Sequence, residues 1–470
     1  MDISSVERIY FVGIKGVAMT SLAIYAKQRG IIVSGSDTPE VFPTQEALKK
    51  SNITPLIGFY ASHVTDLPKP DLVVYTGAHD GKNNIEVRKA LEERIPCVSH
   101  AEALGMCMKD SFQVSVAGSH GKTTASAMIA TILSDAGRNP SWAIGCGGLR
   151  PLGFPGHYGK GREFVAEADE YVTDKGHDLR PRFHWQAPDL LVVTNIDFDH
   201  PDVYKNVRAV KQAFLSFQLR QKGIATTIVN SDDPQSEELV NRTVKRVILY
   251  GTSRNADLQI QNVTGVPGET QFELKDKDTK HTMKLHVPGM HNVLNAAAAT
   301  AACLALGVSW ENISQGLSKF EGTKRRFELV GEKSGISLYD DYAHHPSEIE
   351  AMLAGIRQWY KDAYIITIFQ PHTYSRTKAL LDRFARCFDQ SDIVGITDIY
   401  SSARETDTLG MTGPLFVKKV GQYHKNCFYI KNLERAIAFV KNHAQPKTIV
   451  LTMGAGNIFQ WGPSILQGLG

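Results

Sequence analysis

Between an apolar run, Phe112 to Ala117, and a long apolar stretch of helical spacing, the chain reads Gly118-Ser119-His120-Gly121-Lys122-Thr123-Thr124. Glycines, a lysine and a threonine at this spacing can cradle a phosphate. Consecutive backbone N–H groups and a helix N-terminus point at the anion, and the lysine adds a mobile positive charge. Thr123 is placed to hold Mg²⁺ through its hydroxyl. The first glycine of the commonest form, G-x-x-x-x-G-K-[ST], falls on Val116, so a bare helix-capping turn is the plain alternative. Two acidic clusters follow short apolar runs: Glu167, Asp169 and Glu170, then Asp197, Asp199 and His200. Each alone reads as a solvated strand end. Beside a phosphate loop, at the strand ends where open α/β sheets gather ligands, the two together point to a metal–nucleotide site.

Further groups recur along the chain. Gly289, His291, Asn292 and Asn295 stand at a helix start, where Asn292 can bond a purine edge and His291 can serve helix entry. Asp340, Asp341, His344 and His345 lie between a strand and a helix, and adjacent histidines at a helix start point different ways. His372 and Arg376 close another strand, where a guanidinium suits a carboxylate or phosphate; a surface turn is the alternative. Near the start, Gly13 and Gly16 mark a strand-to-helix turn and Asp37 ends the next strand, the layout of a dinucleotide-binding half. The spacing is G-x-x-G, so a turn without ligand stays open. A nicotinamide dehydrogenase would find no hydride-transfer pair here and would leave the second phosphate loop idle.

Strands and helices must position these groups, and the chain has room for them. With 470 residues, alternating apolar runs and helical stretches predict an α/β protein of several domains. We place them at 1–110, 111–320 and 321–470, with a small antiparallel excursion over 253–288. The net charge of +3 is unclustered, which predicts no nucleic-acid groove and no membrane surface. Six scattered cysteines form no C-x-x-C pair, and no apolar run reaches membrane-spanning length; both fit a cytoplasmic protein. No pattern specifies an oligomeric state.

The ordered set "VAGSHGKTT", "EADE", "TNIDFDH", "GMHNVLNA", "GTKRRFE", "DDYAHHPSEI" and "FQPHTYSRT" resembles the Mur ligase family over nearly the whole chain. The resemblance implies a Rossmann-like N-terminal domain, a central P-loop ATPase-type domain with a mostly parallel sheet, and a Rossmann-like C-terminal domain. It implies an ATP- and Mg²⁺-dependent ligase that joins L-alanine, or a short peptide, to UDP-N-acetylmuramate in peptidoglycan precursor synthesis. Gly118 to Thr124, with Asn292, Arg326 and Asp341, would bind ATP, Lys122 meeting its phosphates. Thr123, Glu167 and His200 would hold the metal, and Lys122, Glu167 and His200 would serve the chemistry. Gly13, Ile14, Lys15, Gly16, Ser36 and Asp37 would bind the UDP-sugar, and His345, His372 and Arg376 the amino acid. Several positions depart from the family pattern. Leu215 stands where many members carry a modified lysine, as in the L-alanine-adding branch. The stretch from Tyr171 to Trp185 is more like the tripeptide-recycling branch, and Thr373 and Ala101 stand where arginines are usual. The amine substrate therefore stays open, as does a non-catalytic nucleotide-binding relative.

Overall fold

The computed structural model describes residues 3–66, 68–241, 245–402 and 405–469. Its first sheet is fully parallel, in the order Leu56–Ile57, Ile32–Asp37, Arg8–Val12, Leu72–Tyr75, Cys97–Ser99. The second strand runs to Asp37, longer than the apolar run Ile31 to Val33 alone predicts, because Gly35 and Ser36 continue the parallel register beside Phe11 and Val12.

The central sheet has ten strands, with Phe112–Ala117 between Glu163–Ala168 and Leu190–Val193, all parallel. Residues within 253–288 are antiparallel as expected. They extend this same sheet, however, since Tyr250 and Gly251 pair in parallel with Leu258 and Gln259. The helix Lys122–Asp135 is buried from Thr124 through Leu133. It lies against the alanine-rich helix Met290–Ala305, whose small side chains let the two approach closely. Burying Ile129, Ile132 and Leu133 contributes about 1.5–3 kcal/mol each.

The third sheet runs Glu328–Lys333, Ile336–Asp341, Thr448–Met453, Tyr364–Phe369, Ile393–Ile396, Cys427–Tyr429, antiparallel only at its first pair. The short strand Gly322–Thr323 pairs instead with Leu149–Arg150, so the chain joins this sheet only at Glu328, later than the expected 321. The first core also ignores the expected divide: Ala143, Phe164 and Ala166 of the central sheet pack among Ile9, Phe11 and Leu22.

One element had no counterpart in the sequence reading. Val172–Asp174 and Asp178–Pro181 form a hairpin that docks on the first unit. The buried Asp174 carboxylate accepts from the Lys82 N–H at 2.9 Å and from the Gly176 N–H at 3.1 Å. Asp174→Ala leaves the Lys82 donor without its partner and is expected to cost about 1–3 kcal/mol, read as a lowered urea midpoint. Among the described residues, no helix is long and apolar enough to cross a membrane.

Candidate active site

The phosphate loop is shaped by what its backbone already holds. Gly121 caps the helix in a left-handed conformation, φ 83°, and a Cβ there would collide with the Asn295 amide. Ser119 N–H donates to Asn195 O, and His120 N–H to the Asn195 side-chain oxygen, both at 3.0 Å. The cradle therefore falls to Gly121, Lys122 and Thr123, whose amides open the helix and lack carbonyl partners one turn back. Asn195 was not singled out from the sequence; it follows the strand Leu190–Val193 and fixes the loop from outside.

Lys122 Nζ donates to Gly118 O at 2.6 Å and to Glu170 Oε2 at 2.8 Å. Burial pulls the ammonium down, and Glu170 and Asp169 overcome it, so Lys122 stays charged. The same burial pushes Glu170 up to about 7, against the pull of Lys122. Asp169, Glu170 and His200 present ligand atoms within 4.8 Å of one another. Burial, opposed by Asp199 and reinforced by Arg376, lowers His200 to about 4, which leaves it neutral with a lone pair to offer near pH 7. Glu170 Oε1 is buried and has no hydrogen-bond partner among the described residues. An orphaned carboxylate oxygen among two more donors fits a hard divalent cation.

Of the three residues expected at the metal, Thr123 and Glu167 lie together, Glu167 also accepting from the Gly145 N–H at 2.6 Å, while His200 groups with Asp169 and Glu170. Tyr171 supports the cluster: its N–H donates to Asp169 at 3.2 Å, its hydroxyl to Asp202 at 2.9 Å, and its ring centroid lies 4.8 Å from that of His200.

A cavity of about 490 Å³ opens beside the loop, between the central and third sheets. His120, Gly121, Thr124, Asn292, Arg326 and Asp341 line it, with Val287, Leu294, Phe320 and Met352 forming an apolar end. Asn292 donates to Pro288 O at 2.7 Å and still borders this space. Asp341 accepts from the Phe327 and Ala343 N–H groups at 2.7 and 2.8 Å, and burial raises it to about 6. An apolar slot with a cationic, amide-lined end suits a nucleoside polyphosphate.

The three residues expected to receive an amino acid are otherwise engaged. His345 is the N-cap of the helix Pro346–Trp359: its Nδ1 accepts from the Ser347 N–H at 3.3 Å, and Nε2 faces Phe198 O at 3.1 Å. Both nitrogens thus serve the protein's own helix start and loop, and the ring lies near His120 and Asp197. Arg376 forms a two-pronged pair with Asp199 at 2.8 and 3.2 Å, and Nη1 reaches His372 at 3.0–3.1 Å. Burial would raise Asp199, and Arg376 holds it well below the usual carboxylate range. Thus the carboxylate met by Arg376 belongs to the protein, and through Asp199, 3.8 Å from His200, it ties the third sheet's unit to the acidic cluster.

In the first unit, Gly13 and Ile14 N–H groups donate to Ser36 O at 2.9 and 3.0 Å, and Asp37 accepts from the Lys15 N–H at 2.7 Å. Lys15 Nζ donates to Thr38 O and Glu40 O at 2.6 and 3.0 Å, Ser36 turns its hydroxyl to the buried Glu86, and Ile14 is fully buried. These contacts build the turn: every N–H from Gly13 to Gly16 is engaged within it, Gly16 N–H donating to Gly13 O at 3.3 Å, and only Gly16 is part-exposed.

Comparison with known proteins matches residues 8–112 to "Mur ligase family, catalytic domain", 116–303 to "Mur ligase middle domain", and 325–456 to "Mur ligase, glutamate ligase domain". The chain is 37% identical over 460 residues to a UDP-N-acetylmuramate–L-alanine ligase of Desulfitobacterium hafniense, covering 97% of this chain and 99% of the relative. It is 38% identical to the same-named ligase of Caldanaerobacter subterraneus, covering 99% of each. Among solved structures, UDP-N-acetylmuramate-alanine ligase from Thermotoga maritima superposes with a TM-score of 0.80 at 25% identity over 98% of both chains.

Proposed function

The chain belongs to the Mur ligase family, and from that premise we propose that it joins L-alanine to UDP-N-acetylmuramate at the expense of ATP. The observation that carries this reading is Lys122, buried in the phosphate loop and paired with Glu170 next to His200, in a loop whose His120, Gly121 and Thr124 line the nucleotide-sized cavity. That arrangement serves phosphoryl transfer to an acid held on the metal-cluster side.

A carboxylate resists attack because its leaving group would be oxide. Transfer of ATP's terminal phosphoryl to a sugar carboxylate oxygen forms one O–P bond, breaks another and releases ADP. The amine then attacks the acyl carbon, the acyl C–O bond breaks, and inorganic phosphate leaves with the amide formed. Lys122 would follow the moving charge, and the Gly121 to Thr123 amides would orient the transferred group. Asp169, Glu170 and His200, with Thr123 and Glu167 beside them, are the residues that would hold magnesium, which when bound neutralises charge on the phosphoryl oxygens. The Gly13 to Gly16 turn would carry the UDP end, and the cavity's apolar end the base of ATP. Its need for ATP and a nucleotide-linked sugar supports a cytoplasmic location.

The test offers ATP, Mg²⁺ and UDP-N-acetylmuramate with single amino acids and, separately, a muramyl-type tripeptide, and reads product mass. The expected result is the L-alanine adduct with matching ADP. A tripeptide adduct with none from L-alanine would overturn the assigned amine and leave the ATP chemistry standing.

A further inference from the structure

His120 sits in the phosphate loop, yet both ring nitrogens turn away from the loop's own backbone. Nε2 lies 3.3 Å from Asp197 Oδ2 and Nδ1 lies 3.5 Å from Glu348 Oε1. A carboxylate oxygen only accepts, so flanking carboxylates on both sides favour an N–H at each nitrogen, which only the imidazolium has. The carboxylates come from different units. Asp197 follows the central strand Leu190–Val193, and Glu348 is in the first turn of the helix Pro346–Trp359 of the third. All three residues line the nucleotide cavity.

We propose that His120 is a cationic bridge between the phosphate loop and the C-terminal unit, a positioning residue that keeps the cavity closed around the nucleotide. The inference rests on the ATP reading above and adds to it how the two walls of the site are held together. Asp197 reinforces the seam, accepting Ser347 Oγ at 2.8 Å and Arg383 at 3.1 and 3.2 Å across the same boundary. Arg326 and His344 lie 3.6 and 3.2 Å from Glu348, and the His345 ring, engaged at both nitrogens, lies 4.5 Å from that of His120. Asp199 adds a further negative field.

Burial alone would pull His120 down, and Asp197 and Glu348 outweigh it, lifting it from 6.5 to about 9. A folded value above the unfolded one means the bridge acts in full below about pH 6.5 and is lost as pH rises through about 9.

The test is titration of the full-length protein with a non-hydrolysable ATP analogue and magnesium, by calorimetry, across the alkaline range. For the wild type, the dissociation constant is expected to rise about fivefold or more between about pH 8 and about pH 10. His120→Gln is expected to bind about fivefold more weakly at the lower pH and to show no such rise. Glu348→Gln decides between a bridge and a direct phosphate contact, and its side-chain carbonyl can still cap the helix if His120→Gln does not fold. Removing a negative charge near an anion strengthens binding if His120 merely touches phosphate, whereas loss of the bridge weakens binding by about threefold or more. Tighter or unchanged binding by Glu348→Gln, or a wild-type pH slope in His120→Gln, overturns the bridge alone. Failure of the wild type to bind the analogue at any pH overturns the ATP reading and the bridge with it.

Discussion

Lys122→Ala is expected to lower substrate-dependent ADP release by about a thousandfold or more, with UDP-sugar affinity held within about twofold. The ammonium is the only cation hydrogen-bonded to both the loop, through Gly118 O, and the metal cluster, through Glu170, among the described residues. Without it the transferring phosphoryl group loses its mobile countercharge. Glu170, with Oε1 already unpartnered, would lose the partner of Oε2 as well. That carboxyl then responds by taking up a proton near neutral pH, which limits the structural cost and spares the fold. The Gly13 to Gly16 turn, proposed to carry the UDP-sugar, belongs to a separate sheet, so calorimetry with the sugar nucleotide should see little change. Near-normal turnover in this variant would remove Lys122 from the chemistry.

Arg376→Ala should have the next largest effect, through Asp199. Both side chains are buried, so truncating the arginine strands a charge in a low-dielectric setting, at a cost of about 3–5 kcal/mol. Because the two residues come from different units, much of that cost can be escaped by opening the site. The expected result is a fall in kcat/KM of about a hundredfold or more for every substrate, rather than a rise in KM for the amine alone. Arg376→Lys should not restore it, since an ammonium cannot match two carboxylate oxygens at once. In a double-mutant cycle, adding Asp199→Ala to Arg376→Ala should cost little more. An effect confined to the amine's KM would return Arg376 to substrate-carboxylate recognition.

What the sequence made legible was local. The loop from Gly118 to Thr124 lies between a strand and a helix in three dimensions as in the text, and the acidic clusters fall at strand ends. Partner choice was not legible. In "EADE" the strand ends at Ala168, so alternation no longer says where Asp169 and Glu170 point, and they rather than Glu167 close on His200. Arg383, two-pronged on Asp197, sits in a short helix outside every motif. His345 could have been read differently: a helix-start residue, proline next and glutamate three on form a capping signature, which the structure completes. The hairpin from Val172 to Pro181 was hidden because charged and apolar residues there follow neither helical nor strand periodicity.

Phosphorylation of the sugar's carboxylate has to come before any amide forms. The direct measurement supplies UDP-N-acetylmuramate carrying ¹⁸O at both oxygens of that carboxylate, with ATP, magnesium and L-alanine, and determines the isotope content of the released phosphate. The expected result is one ¹⁸O in the phosphate for each amide made. Unlabelled phosphate alongside amide product would contradict it.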